Sequence, residues 1–256
     1  MSIRPEGKDS RSTRESSITR TTSELTARPP RRQTLAFRTA LGRFNAAHPW
    51  SHNDAFAGFT LRHARAVRRA GGTTAADVGC GTGNLLGHLS AILPAVVGIE
   101  PDPEAAAIAS DRFPSSSVVR IEQRPFIDEA PRQYDLIVFV ASLHHMPLHA
   151  TLHEARTALR PRGRIVIVGL ARETPSDRWR SLVSLALNPV IGLLRHPRRA
   201  DAHPQNMQAP TSEPTESFDE IRDVAREVLP GARLRRRRFW RYTASWIAPA
   251  AGAHRA

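Results

Sequence analysis

At 256 residues, the chain is long enough to bury one well-packed core, and its alternating strand-like and helix-like segments imply a parallel sheet. Its formal net charge of +13 favours anionic partners without specificity, and Lys8 is the only lysine among the basic residues. Cys80 is the only cysteine, so an intrachain disulfide is excluded, a reducing cytoplasmic setting is expected, and no apolar run reaches the ~20 residues of a membrane span.

Residues 1–36 are rich in Ser, Thr, Arg and Pro and poor in large apolar side chains, a composition that predicts a disordered tail. Glu6, Asp9, Glu15 and Glu24 argue against a transit peptide, a class poor in acids. A folded domain is expected over 37–249, followed by a flexible tail at 250–256. His48, Trp50, His52 and Asn53 cluster ahead of Asp54, which reads as the cap of a helix running to Ala70 and ended by Gly71 and Gly72. Read from its residues alone, that cluster is a surface loop packing Trp50 with the histidines exposed.

Ala75 to Val78 reads as a buried strand running into DVGCGTG, residues 77–83. Glycines at 79, 81 and 83 let the chain turn sharply and let a ligand approach bare backbone, where a Cβ would collide. Leu85, Leu86, Leu89, Ile92 and Leu93 follow at helical spacing until Pro94. Ala95 to Ile99 is a second strand with Glu100 at its carboxyl end, roughly 20 residues after the first glycine, where an acid can hold ribose hydroxyls. A dinucleotide fingerprint would need glycine at 84 or 86, where Asn84 and Leu86 stand, so NAD is disfavoured and another nucleoside cofactor is indicated. Cys80 reads as a small packing neighbour of that turn rather than a nucleophile.

Pro103 to Arg112 reads as a helix, Ser117 to Ile121 as a third strand, Tyr134 to Val140 as a fourth, and Leu148 to Leu159 as a helix before a turn at Pro161 to Gly163. Residues 171–217 break the rhythm with an apolar helical stretch, Arg178 to Leu194, and a segment holding Pro204, Pro210 and Pro214. Phe218 to Leu229 reads as the last helix, followed by strands at Ala232 to Trp240 and Tyr242 to Ala248. Arg235 to Arg238 alternate between both faces of the first of these, which favours a solvated edge strand over a phosphate-binding stripe.

The acid followed by alternate glycines at Asp77, Gly79, Gly81 and Gly83 resembles the first motif of the class I S-adenosylmethionine-dependent methyltransferases. YDLIVFV (134–140), ASLHHM (141–146), ALRPRGRIVIV (158–168) and Arg237 to Pro249 extend the likeness to that family, small-molecule type, over roughly Phe44 to Pro249. The resemblance implies a Rossmann-like, doubly wound α/β fold, with a mostly parallel seven-stranded sheet and helices on both faces. It also implies an enzyme with S-adenosyl-L-methionine as cofactor and no metal.

By the same resemblance, Asp77 and the backbone of Gly79, Cys80, Gly81 and Gly83 hold the methionine end, and Glu100 binds the ribose. Where the family usually has an acid for the adenine amino group, this chain has Arg124. A guanidinium accepts no hydrogen bond, which leaves Gln123 to meet adenine and Phe126 to pack beside it. Ala141 and Ser142 pass beneath the cofactor, and His144, with His145 as the alternative, is the expected general base. The 171–217 insertion either covers a substrate, as such insertions do in that family, or packs a helix on the sheet. Ala141, Ser142, Leu143 and His144 stand where amino-directed nucleic-acid enzymes carry an Asp or Asn, two prolines and an aromatic residue. A small-molecule acceptor is therefore favoured over nucleic acid. Three alternatives stay open: a non-catalytic cofactor-binding protein, a nucleic-acid methyltransferase, and a lipid or quinone acceptor met through peripheral membrane contact at Leu182 to Leu194.

Overall fold

The computed structural model describes residues 54–174, 213–237 and 241–251. The Ser/Thr/Arg-rich tail, the His48 to Asn53 cluster and the apolar Leu182 to Leu194 stretch lie outside them. Helix α1 (Asp54–Arg69) leads into β1 (Thr74–Val78), α2 (Asn84–Ser90), β2 (Ala95–Ile99), α3 (Pro103–Arg112), β3 (Val119–Glu122) and β4 (Tyr134–Val140). A short 3-10 turn at Leu143–His145 precedes α4 (Leu148–Ala158) and β5 (Leu159–Leu170), and the chain closes with α5 (Phe218–Val228), β6 (Arg233–Arg236) and β7 (Arg241–Ile247).

The seven strands form one sheet in the order β3-β2-β1-β4-β5-β7-β6. The first five are parallel to their neighbours, whereas β7 runs antiparallel to both β5 and β6. From β1 the chain winds outward through β2 and β3, then returns to place β4 on the other flank of β1. The connections leaving the carboxyl ends of β1 and β4 therefore diverge, and in open α/β sheets a crevice opens at such a switch point.

Burial follows the pleat. Along β4, Ile137 and Phe139 pack with Leu152, Ile165, Ile221 and Trp246 in a core that includes residues of α4 and α5, while Leu136 and Val138 pack with Ala64, Val67, Leu86 and Leu89 from α1 and α2. Helices thus cover both faces, and the apolar runs of β1 and β4 belong to strands buried on both sides. Asp135 ties the amino ends of these strands together by accepting from the N–H groups of Thr73 (2.8 Å) and Thr74 (3.0 Å), the Thr74 hydroxyl (2.9 Å) and Arg160 (3.0 Å).

Two details depart from expectation. The turn expected at Pro161 to Gly163 lies within β5, where Arg162 takes φ 64° and the pairing with β4 shifts register between Tyr134 and Leu136. The Arg162 N–H donates to the Ala248 carbonyl just past β7 (3.1 Å), and this bond holds the irregularity that proline and glycine were expected to turn. Strand β6 is shorter than expected, and residues 238–240 lie outside the described set. It is the sheet edge, with Arg233 and Arg235 exposed, while Arg236 turns to α5, where it meets Asp219 at 2.9 Å and the Phe218 ring at 4.7 Å.

The ends of the 171–217 segment meet. Arg172 and Ser217 form an isolated parallel bridge, and the Arg172 N–H donates to the Glu216 carbonyl at 2.7 Å. A capping box at Ser217 and Glu220 then starts α5. Among the described residues, no helix is long and apolar enough to cross a membrane.

Candidate active site at the carboxyl ends of β1 and β4

At the end of β1 the backbone turns through three left-handed glycines, Gly79 (φ 68°), Gly81 (φ 53°) and Gly83 (φ 82°), the last capping α2. Gly79 and Cys80 donate to the Ile99 carbonyl at 2.8 and 3.2 Å, which holds the turn over the end of β2. A side chain at 79 would overlap the Ser142 side chain, whose hydroxyl donates to the Val78 carbonyl at 2.5 Å. A Cβ at Gly81 would meet nothing within 4 Å, so the backbone there faces open space. Cys80 turns the other way, with its sulfur 2.9 Å from where a Cβ on Gly98 would stand. Burial, with Asp77 and Glu100 nearby, pushes its thiol well above the usual range, in keeping with a packing role.

Glu100 is buried and joins two loops: Oε2 accepts from the Gly81 N–H at 2.8 Å and Oε1 from the Asp102 N–H at 3.0 Å. Asp77, the last-but-one residue of β1, is 2% exposed. Burial, and then the like charge of Glu100, push its pKa up to about 7. A cationic ligand would draw this acid into its charged form, and the open space at Gly81 leaves room for one. The described residues therefore fit a positively charged nucleoside cofactor.

On the far side of the crevice, β4 ends in Ala141, held at φ 55° with its N–H on the Val168 carbonyl (2.8 Å). A cleft of about 410 Å³ runs from Val78 and Gly79 past Ile99 and Pro101 to the β3–β4 loop, and includes His145 and Met146 after β4. Its α4 wall carries Ala150, Thr151 and Glu154 with the capping Pro147 before them, spaced i, i+3, i+4, i+7 along one face.

Of the expected cofactor residues, Gly79 and Phe126 line this cleft directly, and Phe126 sits edge-on to Phe139 with centroids 5.9 Å apart. Gly81 and Glu100 come together through the hydrogen bond above, and the buried Asp77 carboxylate lies near enough to Glu100 to feel its charge. Gln123 is exposed and is not among the cleft walls, whereas Asp128 is. His145 lines the cleft, and the His144 ring lies 4.0 Å from the His145 ring, centroid to centroid. Arg124 pairs with Glu122 and Glu129 at 2.6 and 2.5 Å. Sequence reasoning missed Asp128, which no periodicity marks, and the α4 stripe, which helical spacing could have revealed.

A family model described as a methyltransferase domain matches residues 76–165, a span that holds the glycine turn, Glu100 and the His144–His145 loop. An uncharacterised methyltransferase of Mycobacterium tuberculosis is 29% identical over 179 residues, covering 68% of this chain and 86% of the relative. An uncharacterised methyltransferase of Bacillus subtilis is 33% identical over 99 residues, 39% of this chain and 45% of the relative. Among solved structures, a SAM-dependent methyltransferase from Methanosarcina mazei shares 14% identity, with a TM-score of 0.48 over 69% of this chain and 92% of that one. The methyltransferase-domain match begins in β1 and ends in β5, across the crevice, and together with these relatives it supports a class I S-adenosylmethionine-dependent methyltransferase.

Proposed function

We propose that the protein methylates a small-molecule acceptor by direct, in-line transfer. The observation that carries this reading is that one cleft of about 410 Å³ joins the glycine turn at Gly79 to an imidazole at His145. A cofactor held at the first would be within the same enclosure as a proton acceptor at the second. S-adenosylmethionine supplies an electrophilic methyl group on a good leaving group, so the protein's task is alignment and exclusion of water.

Asp77 and the Gly79–Gly83 backbone hold the methionine end, with Cys80 packed behind the turn and Glu100 facing the ribose. A carboxylate that already accepts two N–H bonds keeps lone pairs for a diol. Phe126 packs against the purine, and Asp128 is the cleft-lining acid suited to its amino group, with Gln123 outside the wall. Ala141, in its left-handed turn, brings Ser142 against Gly79 and so sets the floor. One imidazole of the His144–His145 pair takes the acceptor proton. His144 is expected from its place in the loop, and His145 is the member that lines the cleft.

Residues 171–217 are assigned to acceptor recognition within a methyltransferase domain over 37–249. Support comes from the carboxyl end of β5, where they begin and where Arg172 and Ser217 meet, on the same sheet edge as the cleft. The single cysteine supports a reducing, cytoplasmic setting. The test is transfer of labelled methyl from S-adenosylmethionine to a metabolite extract, with RNA and DNA assayed in parallel. Label in low-molecular-weight products is the expected result. Label in nucleic acid alone would overturn the small-molecule reading, and hydrolysis-free cofactor binding with no labelled product would favour a non-catalytic protein.

A further inference from the structure

Arg124 occupies the place where the family resemblance leads one to expect an acid, and its contacts give it a different role. Its Nε donates to Glu122 Oε2 at 2.8 Å and one terminal nitrogen donates to Glu129 Oε1 at 2.5 Å and to the Pro125 carbonyl at 3.1 Å. Glu122 ends β3, and Glu129 follows the next loop. The planar guanidinium therefore spans the neck of that loop. The four residues between Arg124 and Glu129, namely Pro125, Phe126, Ile127 and Asp128, all line the cleft.

The rest of the loop has little else to fix its shape. Ile127 is 58% exposed and Asp128 sits at φ 53°, a conformation that costs a non-glycine residue about 1 kcal/mol or more and persists only where neighbours enforce it. Only Phe126 reaches the core. At the neck, by contrast, the Glu129 side chain is 1% exposed and also accepts from the Tyr134 hydroxyl at 3.0 Å, while the Glu129 N–H donates to Glu154 of α4 at 2.5 Å. Charge-assisted bonds of this kind are strong and directional, and a lysine ammonium, being a point charge, cannot reproduce the fork.

Resting on the cofactor assignment above, we propose that Arg124 is a positioning residue that pins the β3–β4 loop, and thereby sets the cleft wall that receives the cofactor. On this view the missing acid does not weaken the site. The guanidinium's charge is spent on two carboxylates, and what it provides to the cofactor is a fixed wall rather than a contact.

The test is calorimetric titration of the full chain with S-adenosylhomocysteine, alongside thermal melts. Arg124→Ala should weaken binding about tenfold or more and lower Tm, because Glu129 is left as an unpaired buried charge. Arg124→Ala with Glu129→Gln removes that charge, so Tm should recover while binding stays weak. Arg124→Lys keeps a charge without the bridge and should leave Tm nearly unchanged with binding several-fold weaker. Wild-type affinity in the double variant, or in Arg124→Lys, would overturn the proposal and reduce Arg124 to a neutralising charge. Absence of binding in the wild type would instead defeat the cofactor assignment itself, and the proposal with it.

Discussion

Ser142 occupies the space that a side chain at Gly79 would need, and its hydroxyl bonds the Val78 carbonyl one residue before that glycine. The contact joins the ends of β1 and β4, so the crevice floor depends on a residue pair 63 positions apart in sequence, the separation of 142 and 79. Gly79→Ala combines this overlap with a left-handed φ of 68°. A loss of roughly 2–4 kcal/mol in stability is expected by denaturant unfolding, together with weaker cofactor binding. Adding Ser142→Gly should return part of the stability by relieving the overlap. No gain from the second substitution would show that the close approach does not limit the first.

Asp77 should make both stability and cofactor affinity depend on pH. Its folded-state pKa is raised to about 7 by burial and then by Glu100, so the folded form holds a proton that the unfolded chain has already released. The contribution of this group to ligand-free stability is full below its unfolded value near 4 and is lost as pH rises towards about 7. Cofactor binding that calls for the ionised acid should tighten across the upper part of that window. Asp77→Asn is expected to flatten both profiles, raise the ligand-free Tm at about pH 8 and weaken S-adenosylhomocysteine binding by about tenfold or more. Unchanged profiles in the variant would remove Asp77 from the site.

Much of this was legible in the sequence because each element carried its own signal. The bounds of β2, α3 and β4 agree with the apolar runs and caps that mark them, since a two-face-buried strand has few polar interruptions and Asp102 caps α3 by accepting from the Ala105 N–H at 2.8 Å. The glycine turn was readable for the same local reason. What escaped was set by tertiary context: the Arg162 N–H meets the Ala248 carbonyl just past β7, and Asp128 lines the cleft from a loop whose neck Arg124 closes through Glu122 and Glu129. Gln123 could be named from position, but it is exposed, and the loop residues that line the cleft are Pro125 to Asp128, beyond Arg124.

Asp135 should behave as a stability device remote from the chemistry. Burial pushes its carboxyl up, but the N–H groups of Thr73 and Thr74, the Thr74 hydroxyl and Arg160 outweigh this and hold it below the usual carboxylate range. A depressed folded pKa contributes stability above the unfolded value, and that stability is lost as pH falls through the folded value. Asp135→Asn is expected to cost about 1–3 kcal/mol near neutral pH by chemical denaturation, with the gap from wild type closing in acid and no change in cofactor affinity. A gap independent of pH would mean that the charge is immaterial.

The two imidazoles should separate in kinetics. If His144 takes the acceptor proton, His144→Ala should lower kcat by about 100-fold or more while S-adenosylhomocysteine affinity stays within about twofold. His145→Ala should show that pattern instead if the cleft-lining ring is the base. Equal loss of turnover and cofactor affinity in both variants would identify the pair as part of the binding wall.

The central claim is that the glycine turn and Glu100 cradle S-adenosylmethionine, and the most direct measurement is calorimetric titration of the wild-type chain and Glu100→Ala with S-adenosylhomocysteine. Saturable binding at one site per chain, weakened by about tenfold or more when Glu100 is removed, is the expected result. Equal affinity in the two proteins, or no binding up to about millimolar ligand, would contradict it.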